Sequence, residues 1–256
     1  MMPRFFGASG QLFGAYHPPE AGPFRDTAVL LCYPGHQEYR LIHRAFRRLA
    51  AMLAAQGFHV LRFDYSSFGD SAGDTEQADL GQWVVDARLA ADELRELSGV
   101  PHLSLVGMRL GAIVAARVGQ AGVRLQDLVL WEPVVDGRDY LRQLDEAQRR
   151  ATAELPFPHD QARDDDELLG FRMTRRFREQ IAGEQLGDEP LGSVGRALIV
   201  ASSNDPSYAQ LSGRAGFRGI PTEYRAVDDP VIDLRTDILH AREVLNVIAF
   251  HLAGGE

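Results

Sequence analysis

The stretch Leu103-Ser104-Leu105-Val106-Gly107-Met108-Arg109-Leu110-Gly111-Ala112 carries the spacing most suggestive of chemistry. An apolar run ends in a bend flanked by Gly107 and Gly111, and a small-residue helical pattern from Ile113 to Val118 begins at once. In the G-x-S-x-G arrangement, the central residue sits on a sharp strand-to-helix turn, and glycine lets backbones approach closely there. Here the centre is Arg109. A guanidinium is effectively always charged and cannot attack a carbonyl. It can instead bind a carboxylate, phosphate or developing oxyanion beside the amides of a helix N-terminus. The alternative is an arginine paired with Asp205, Glu132, Asp228 or Asp229 that merely fills the position. Burial without a partner is costly, so either reading places a carboxylate nearby.

The surrounding elements follow from pattern. Residues 3–18 read as a β-hairpin, and residues 27–33 form a continuous apolar run of the kind that makes a buried central strand. Pro34-Gly35 ends that strand, and His36-Gln37-Glu38-Tyr39 reads as a polar loop. A helix follows through Leu41, Ile42, Ala45, Phe46, Leu49, Met52 and Leu53, closed by Gly57. Residues 58–64 are a strand, 65–73 a loop, and 79–97 a helix. The bend with its strand and helix comes next, then a strand at 125–131. Strand and helix alternate with short connections, which predicts right-handed crossovers and a parallel sheet covered on both faces. From 136 to 194 the chain is charged and helical and reads as a helical cap inserted into a core of residues 1–135 and 195–256. The acidic run at 164–167 reads as a helix start, where negative charge suits the dipole. Strands return at 197–201 and 222–227, and a helix closes the chain.

Composition bounds the function. The 256 residues suffice for one α/β domain, and hydrophobic and charged shares of 45% and 25% are those of an ordinary globular protein. A net charge of −9 argues against nucleic acid or an anionic membrane as partner. No apolar run reaches spanning length, and the first ten residues lack a signal-type apolar core. A single cysteine, Cys32, excludes an internal disulfide and fits a reducing, cytoplasmic setting. No H-E-x-x-H, C-x-x-C or P-loop pattern occurs, so no cofactor or metal is expected.

Four stretches together resemble the α/β-hydrolase superfamily: the Arg109 bend, Phe63-Asp64-Tyr65-Ser66-Ser67-Phe68-Gly69-Asp70-Ser71, Trp131-Glu132-Pro133, and Ser202-Ser203-Asn204-Asp205-Pro206. Over nearly its whole length the chain is similar to the serine-aminopeptidase-like group, and within it to hydrolase-like proteins associated with exosortase systems and biosynthetic clusters. The resemblance implies an eight-stranded, mostly parallel sheet. It makes Arg109 the occupant of the nucleophile position and Asp205 that of the triad acid. Where the base belongs, the chain offers Asp228, Asp229 and Pro230, with His240 and His251 further on.

The resemblance also assigns oxyanion amides to Leu110 and to the Gly35–His36 loop. His36, at a C-terminal strand edge where α/β ligands bind, is taken as functional, and Glu38 as a solvated loop residue. His36 and Glu38 could also form a proton-transfer pair. Tyr39, Asp64, Tyr65, Trp131, Glu132 and His240 are candidate pocket residues. Ser71 is assigned to a turn, His43 to packing or surface, and Phe171 and Met173 to a pocket or core. Cys32 reads as a small buried hydrophobe.

The leading reading is an enzyme acting on a small-molecule acyl (thio)ester, free or tethered to a carrier protein or coenzyme A. It dispenses with the covalent serine step: Arg109 binds anion or oxyanion, and Asp205, His36 or Asp229 handles protons. The first alternative is a non-catalytic binding or scaffolding relative. The second is a hydrolase whose nucleophile has moved to Cys32 or Ser66.

Overall fold

The computed structural model describes residues 1–20, 22–153, 166–202, 205–228 and 241–255. Eight strands form one sheet: β1 (Met2–Phe6), β2 (Leu12–His17), β3 (Thr27–Cys32), β4 (His59–Phe63), β5 (His102–Met108), β6 (Leu125–Trp131), β9 (Val194–Ala201) and β10 (Thr222–Ala226). Their order is β1-β2-β4-β3-β5-β6-β9-β10. β1 pairs antiparallel with β2, and β2 with β4; every later pairing is parallel. The all-apolar run Ala28–Cys32 is fully buried, as a strand covered on both faces requires.

Helices α1 (His36–Ala55), α2 (Leu80–Ser98), α3 (Leu110–Gln120) and α7 (Arg242–Leu252) cover the sheet, with α1 against α7 and α2 against α3. Asp79 caps α2 by accepting from the Gln82 amide at 2.9 Å, and left-handed Gly99 ends it. Leu41, Ile42, Phe46, Leu49 and Leu53 form the buried stripe of α1. That helix starts earlier than its pattern suggests. His36 to Tyr39 are its first turn rather than a polar loop: His36, Gln37 and Glu38 are buried, and Glu38 and Tyr39 bond to Arg109 and Asp64 inside the protein.

Between β6 and β9 lie α4 (Gly137–Ala153), the short hairpin β7 (Glu167–Leu168) with β8 (Phe171–Arg172), and α5 (Arg175–Ala182). Glu167 is therefore in a strand and not at a helix start, while Asp164 and Asp165 lie outside the described residues. A short helix, α6 (Pro206–Leu211), follows β9; Asp205 caps it by accepting from the Ser207 amide at 2.8 Å.

Candidate functional site

Five non-glycine residues among those described have positive φ, and four of them follow the C-terminal ends of β4, β3, β5 and β6: Ser67 (71°), His36 (54°), Arg109 (51°) and Glu132 (44°). These four strands are consecutive in the sheet. Such backbone costs about 1–3 kcal/mol per residue and persists where the surroundings hold it for a purpose. Strain is thus gathered along one sheet edge, where open α/β folds bind ligands.

Arg109 is the bend itself. Its backbone, at φ 51° and ψ −118°, joins β5 directly to α3. Its amide donates to the Trp131 carbonyl at 3.1 Å, and its carbonyl accepts from Ala112 at 3.1 Å. A Cβ on Gly111 would collide with the Cys32 and Tyr33 carbonyls, so only glycine lets α3 approach β3 this closely. The bend is intact, with a cation at its apex.

That cation is held on several sides. Arg109 Nε donates to Glu38 Oε1 at 2.9 Å, with the two side chains 15% and 2% exposed. Arg109 Nη2 donates to Gln143 Oε1 at 3.3 Å, and the guanidinium lies 5.0 Å from the centroid of the Tyr140 ring. The Tyr140 hydroxyl completes the loop by donating to Glu38 Oε2 at 2.9 Å. Burial works against the Arg109 charge, but the Glu38 carboxylate and, less strongly, Tyr140 and Tyr208 more than offset it, so its pKa lies above the ordinary value. Burial and Glu38 push the Tyr140 phenol well up, so it remains a proton donor.

Glu132 stands beside this group, one residue beyond the Met108–Trp131 register pair. Its Oε1 accepts from the Ser202 amide at 2.6 Å and from the Ser202 hydroxyl, and its Oε2 from the Tyr208 hydroxyl at 3.3 Å. Two tyrosines, each tied to a buried glutamate, therefore flank Arg109. They share with it a polar cleft of about 310 Å³ whose walls also include Asp136, Gln143, Asp205 and Arg214. This is the lower end of small-molecule site volumes.

The sequence-derived candidates divide sharply. Arg109 and Asp205 line the cleft, and Glu38, read as a solvated loop residue, is instead the buried counter-ion of Arg109. The first turn of α1 points Glu38 inward, which the loop reading could not anticipate. Glu132 backs the cleft through Tyr208, and Leu110 is the buried first residue of α3. His36 is not a cleft residue. Its ring packs 5.0 Å from Phe68 and 5.1 Å from Phe177, and neither nitrogen has a partner in normal hydrogen-bond geometry. Burial, against a weaker contribution from the Arg172 backbone, pushes its pKa down to about 4, so it is no poised base near neutral pH. It therefore forms no proton-transfer pair with Glu38.

Gly35 caps α1 against Trp83. Tyr39 donates to Asp64 at 2.7 Å, and Asp64 also accepts from the Asp70 amide at 3.0 Å, which makes this pair a loop clamp. Tyr65 stacks on Trp83 and donates to the Tyr33 carbonyl, and Trp131 stacks on Phe46 in the core. Ser71 donates to the Asp64 carbonyl, a turn role; His43 stacks on Tyr33; Met173 is core. Cys32 is fully buried, and burial pushes its thiol up to about 12. The Ser66 amide is tied to Asp86 at 2.8 Å. His251 sits at the opposite end of the sheet, 3.6 Å from Asp127. Asp229 and His240 lie outside the described residues. Tyr140, Gln143 and Tyr208 escaped sequence reasoning, since a tyrosine on an amphipathic helix carries no sign that its hydroxyl meets a glutamate.

A parallel sheet, a tight strand–helix bend and strain along one edge are features that known proteins share. The family model for serine aminopeptidase, S33, matches residues 26–181, more than half of the chain. The chain belongs to that family. Solved structures of this α/β-hydrolase fold superpose along its length. Est1E from Butyrivibrio proteoclasticus, solved with ferulic acid, gives a TM-score of 0.63 at 16% identity, covering 95% of this chain and 93% of that one. Mouse alpha/beta hydrolase domain-containing protein 10 gives 0.61 at 16%, covering 99% and 98%. XC6422 from Xanthomonas campestris, described as an a/b serine hydrolase without lid, gives 0.58 at 18%, covering 98% and 91%. Identities this low establish the fold and not the activity. No curated protein matches the chain. Among the described residues no helix is long and apolar enough to cross a membrane, and no cluster of metal-ligating side chains occurs.

Proposed function

We propose that this family member binds a small acyl compound, an ester, a thioester or the derived carboxylate, in the cleft beside Arg109, and that no acyl-enzyme forms there. The observation that carries this reading is the guanidinium at the apex of an otherwise intact bend. Glu38 holds its Nε and Gln143 one Nη2 hydrogen, which leaves further N–H groups for a ligand in the cleft that Arg109 lines. Those groups can donate to a carbonyl or carboxylate oxygen, and a planar fork suits either. A charge already paired with Glu38 attracts free anions less than a lone arginine does, so shape and hydrogen bonding select the ligand more than net charge.

Binding alone satisfies this geometry, since His36 is withdrawn from the cleft. A second reading is favoured by Asp205, which lines the same cleft as Arg109. In it, Asp205 takes the proton of a water or amine that attacks the acyl carbon directly, while Arg109 steadies the oxygen; as the tetrahedral intermediate collapses, the C–S or C–O bond breaks and the departing thiol or alcohol takes the proton back from Asp205. The substrate is then a small acyl group, free or carried on coenzyme A or a carrier protein in a cytoplasmic biosynthetic setting.

Calorimetric titration with short-chain carboxylates and their thioesters tests the common step. Saturable binding that Arg109→Ala abolishes is the expected result. Binding indifferent to that substitution contradicts the reading. Turnover of the thioester by the wild type that falls in Asp205→Asn selects the second form.

A further inference from the structure

His36 is a poor fit for its own surroundings. Its backbone is held at φ 54°, its imidazole is buried, and both ring nitrogens lack a partner in normal geometry. The neighbouring Gln37 is also buried with both amide atoms unpartnered, and so is Trp83 Nε1. Each orphaned polar group costs free energy, and the left-handed backbone adds more. The apolar side of the arrangement is by contrast well built. Phe68, from the loop after β4, Trp83, from α2, and Phe177, from α5, stand 5.0, 6.3 and 5.1 Å from the His36 ring centroid. Trp83 lies 5.1 Å from both phenylalanines, so the three rings form a box around the imidazole. A Cβ on Gly35 would strike the Trp83 indole, so glycine lets this box close over the start of α1. Phe68 is half-buried, which brings the box to the surface on that side.

We propose that the Phe68–Trp83–Phe177 box is a binding site for a flat aromatic ring bearing a neutral amide or acid group, occupied in the ligand-free protein by the His36 side chain. Three ring faces and edges favour an aromatic occupant over an aliphatic one. Trp83 Nε1–H, buried and without a partner on a wall of the box, is the donor available to the ligand's polar group. The site is separate from the Arg109 cleft, since none of His36, Phe68, Trp83 and Phe177 lines that cleft.

Benzamide and cyclohexanecarboxamide are suitable probes, followed by tryptophan fluorescence and thermal shift on the full chain. Weak benzamide binding is expected in the wild type. His36→Gly, which suits the left-handed backbone and empties the box, should bind it about tenfold more tightly. His36→Phe should lose it, because a permanent ring fills the box. Cyclohexanecarboxamide should bind more weakly than benzamide to His36→Gly. Equal affinity of wild type and His36→Gly for benzamide overturns the proposal, and equal affinity of His36→Gly for the two amides overturns the aromatic class. Should His36→Gly fail to fold, the comparison of His36→Phe with wild type decides: binding retained in His36→Phe overturns the proposal.

Discussion

Replacing Glu38 by glutamine removes a charge and almost no volume, so it isolates what the carboxylate does for Arg109. At an effective dielectric near 20, opposite charges about 4 Å apart attract by about 4 kcal/mol. The Glu38 side chain is 2% exposed and that of Arg109 15%, so water restores only part of this when the carboxylate is gone. The guanidinium keeps Gln143 at 3.3 Å and the Tyr140 ring at 5.0 Å. A cation–π contact of that kind contributes about 0.5–1 kcal/mol. The net expectation is a loss of about 2–4 kcal/mol, overlapping the roughly 3–5 kcal/mol for stripping one partner from a buried pair. For a chain of this size that lowers the melting temperature by roughly 5–12 °C. Urea unfolding of wild type, Glu38→Gln, Arg109→Met and the double variant completes the cycle. The double variant carries no stranded charge and should lose about 2 kcal/mol less than the two single losses combined. A loss below about 0.5 kcal/mol in Glu38→Gln, or strict additivity, would refute the claim that the pair holds Arg109 in place.

Two further outcomes follow from buried titratable groups. His36 has a folded pKa near 4, mainly through burial, against about 6.5 when unfolded. The unfolded chain binds the proton more readily, so its contribution is fully present above about pH 6.5 and is lost as pH falls toward 4. The shift corresponds to about 3 kcal/mol, and His36→Phe should flatten that part of the stability–pH curve; an unchanged curve contradicts the burial of the neutral ring. Cys32, fully buried with its thiol pushed up to about 12, should resist iodoacetamide at pH 8 until denaturant is added, and stoichiometric labelling of the native protein contradicts its placement in β3.

The sheet was legible because its strands are apolar runs of strand length, bounded by Pro34-Gly35, Gly57 and Gly99, and because glycines flank the bend. Periodicity located α2 closely but started α1 late. His36, Gln37 and Glu38 look solvent-facing by residue type, yet the chain turns them inward against Trp83, Phe177 and Arg109. The error carried into the site, exchanging the roles of His36 and Glu38. Polar residues in a strand-to-helix connection do not declare whether water or a buried partner satisfies them; only the tertiary fold decides. The same holds for Tyr140 and Tyr208, whose hydroxyls acquire their glutamates from elements 102 and 76 residues away in sequence.

The role proposed for the bend is to hold a ligand-binding cation without forming a covalent acyl intermediate. Intact-mass spectrometry after incubation with an activated ester, p-nitrophenyl acetate, tests it most directly. An unmodified chain of unchanged mass is the expected result. A rapidly formed acyl adduct that hydrolyses on turnover, mapped to any side chain of the cleft, would contradict it.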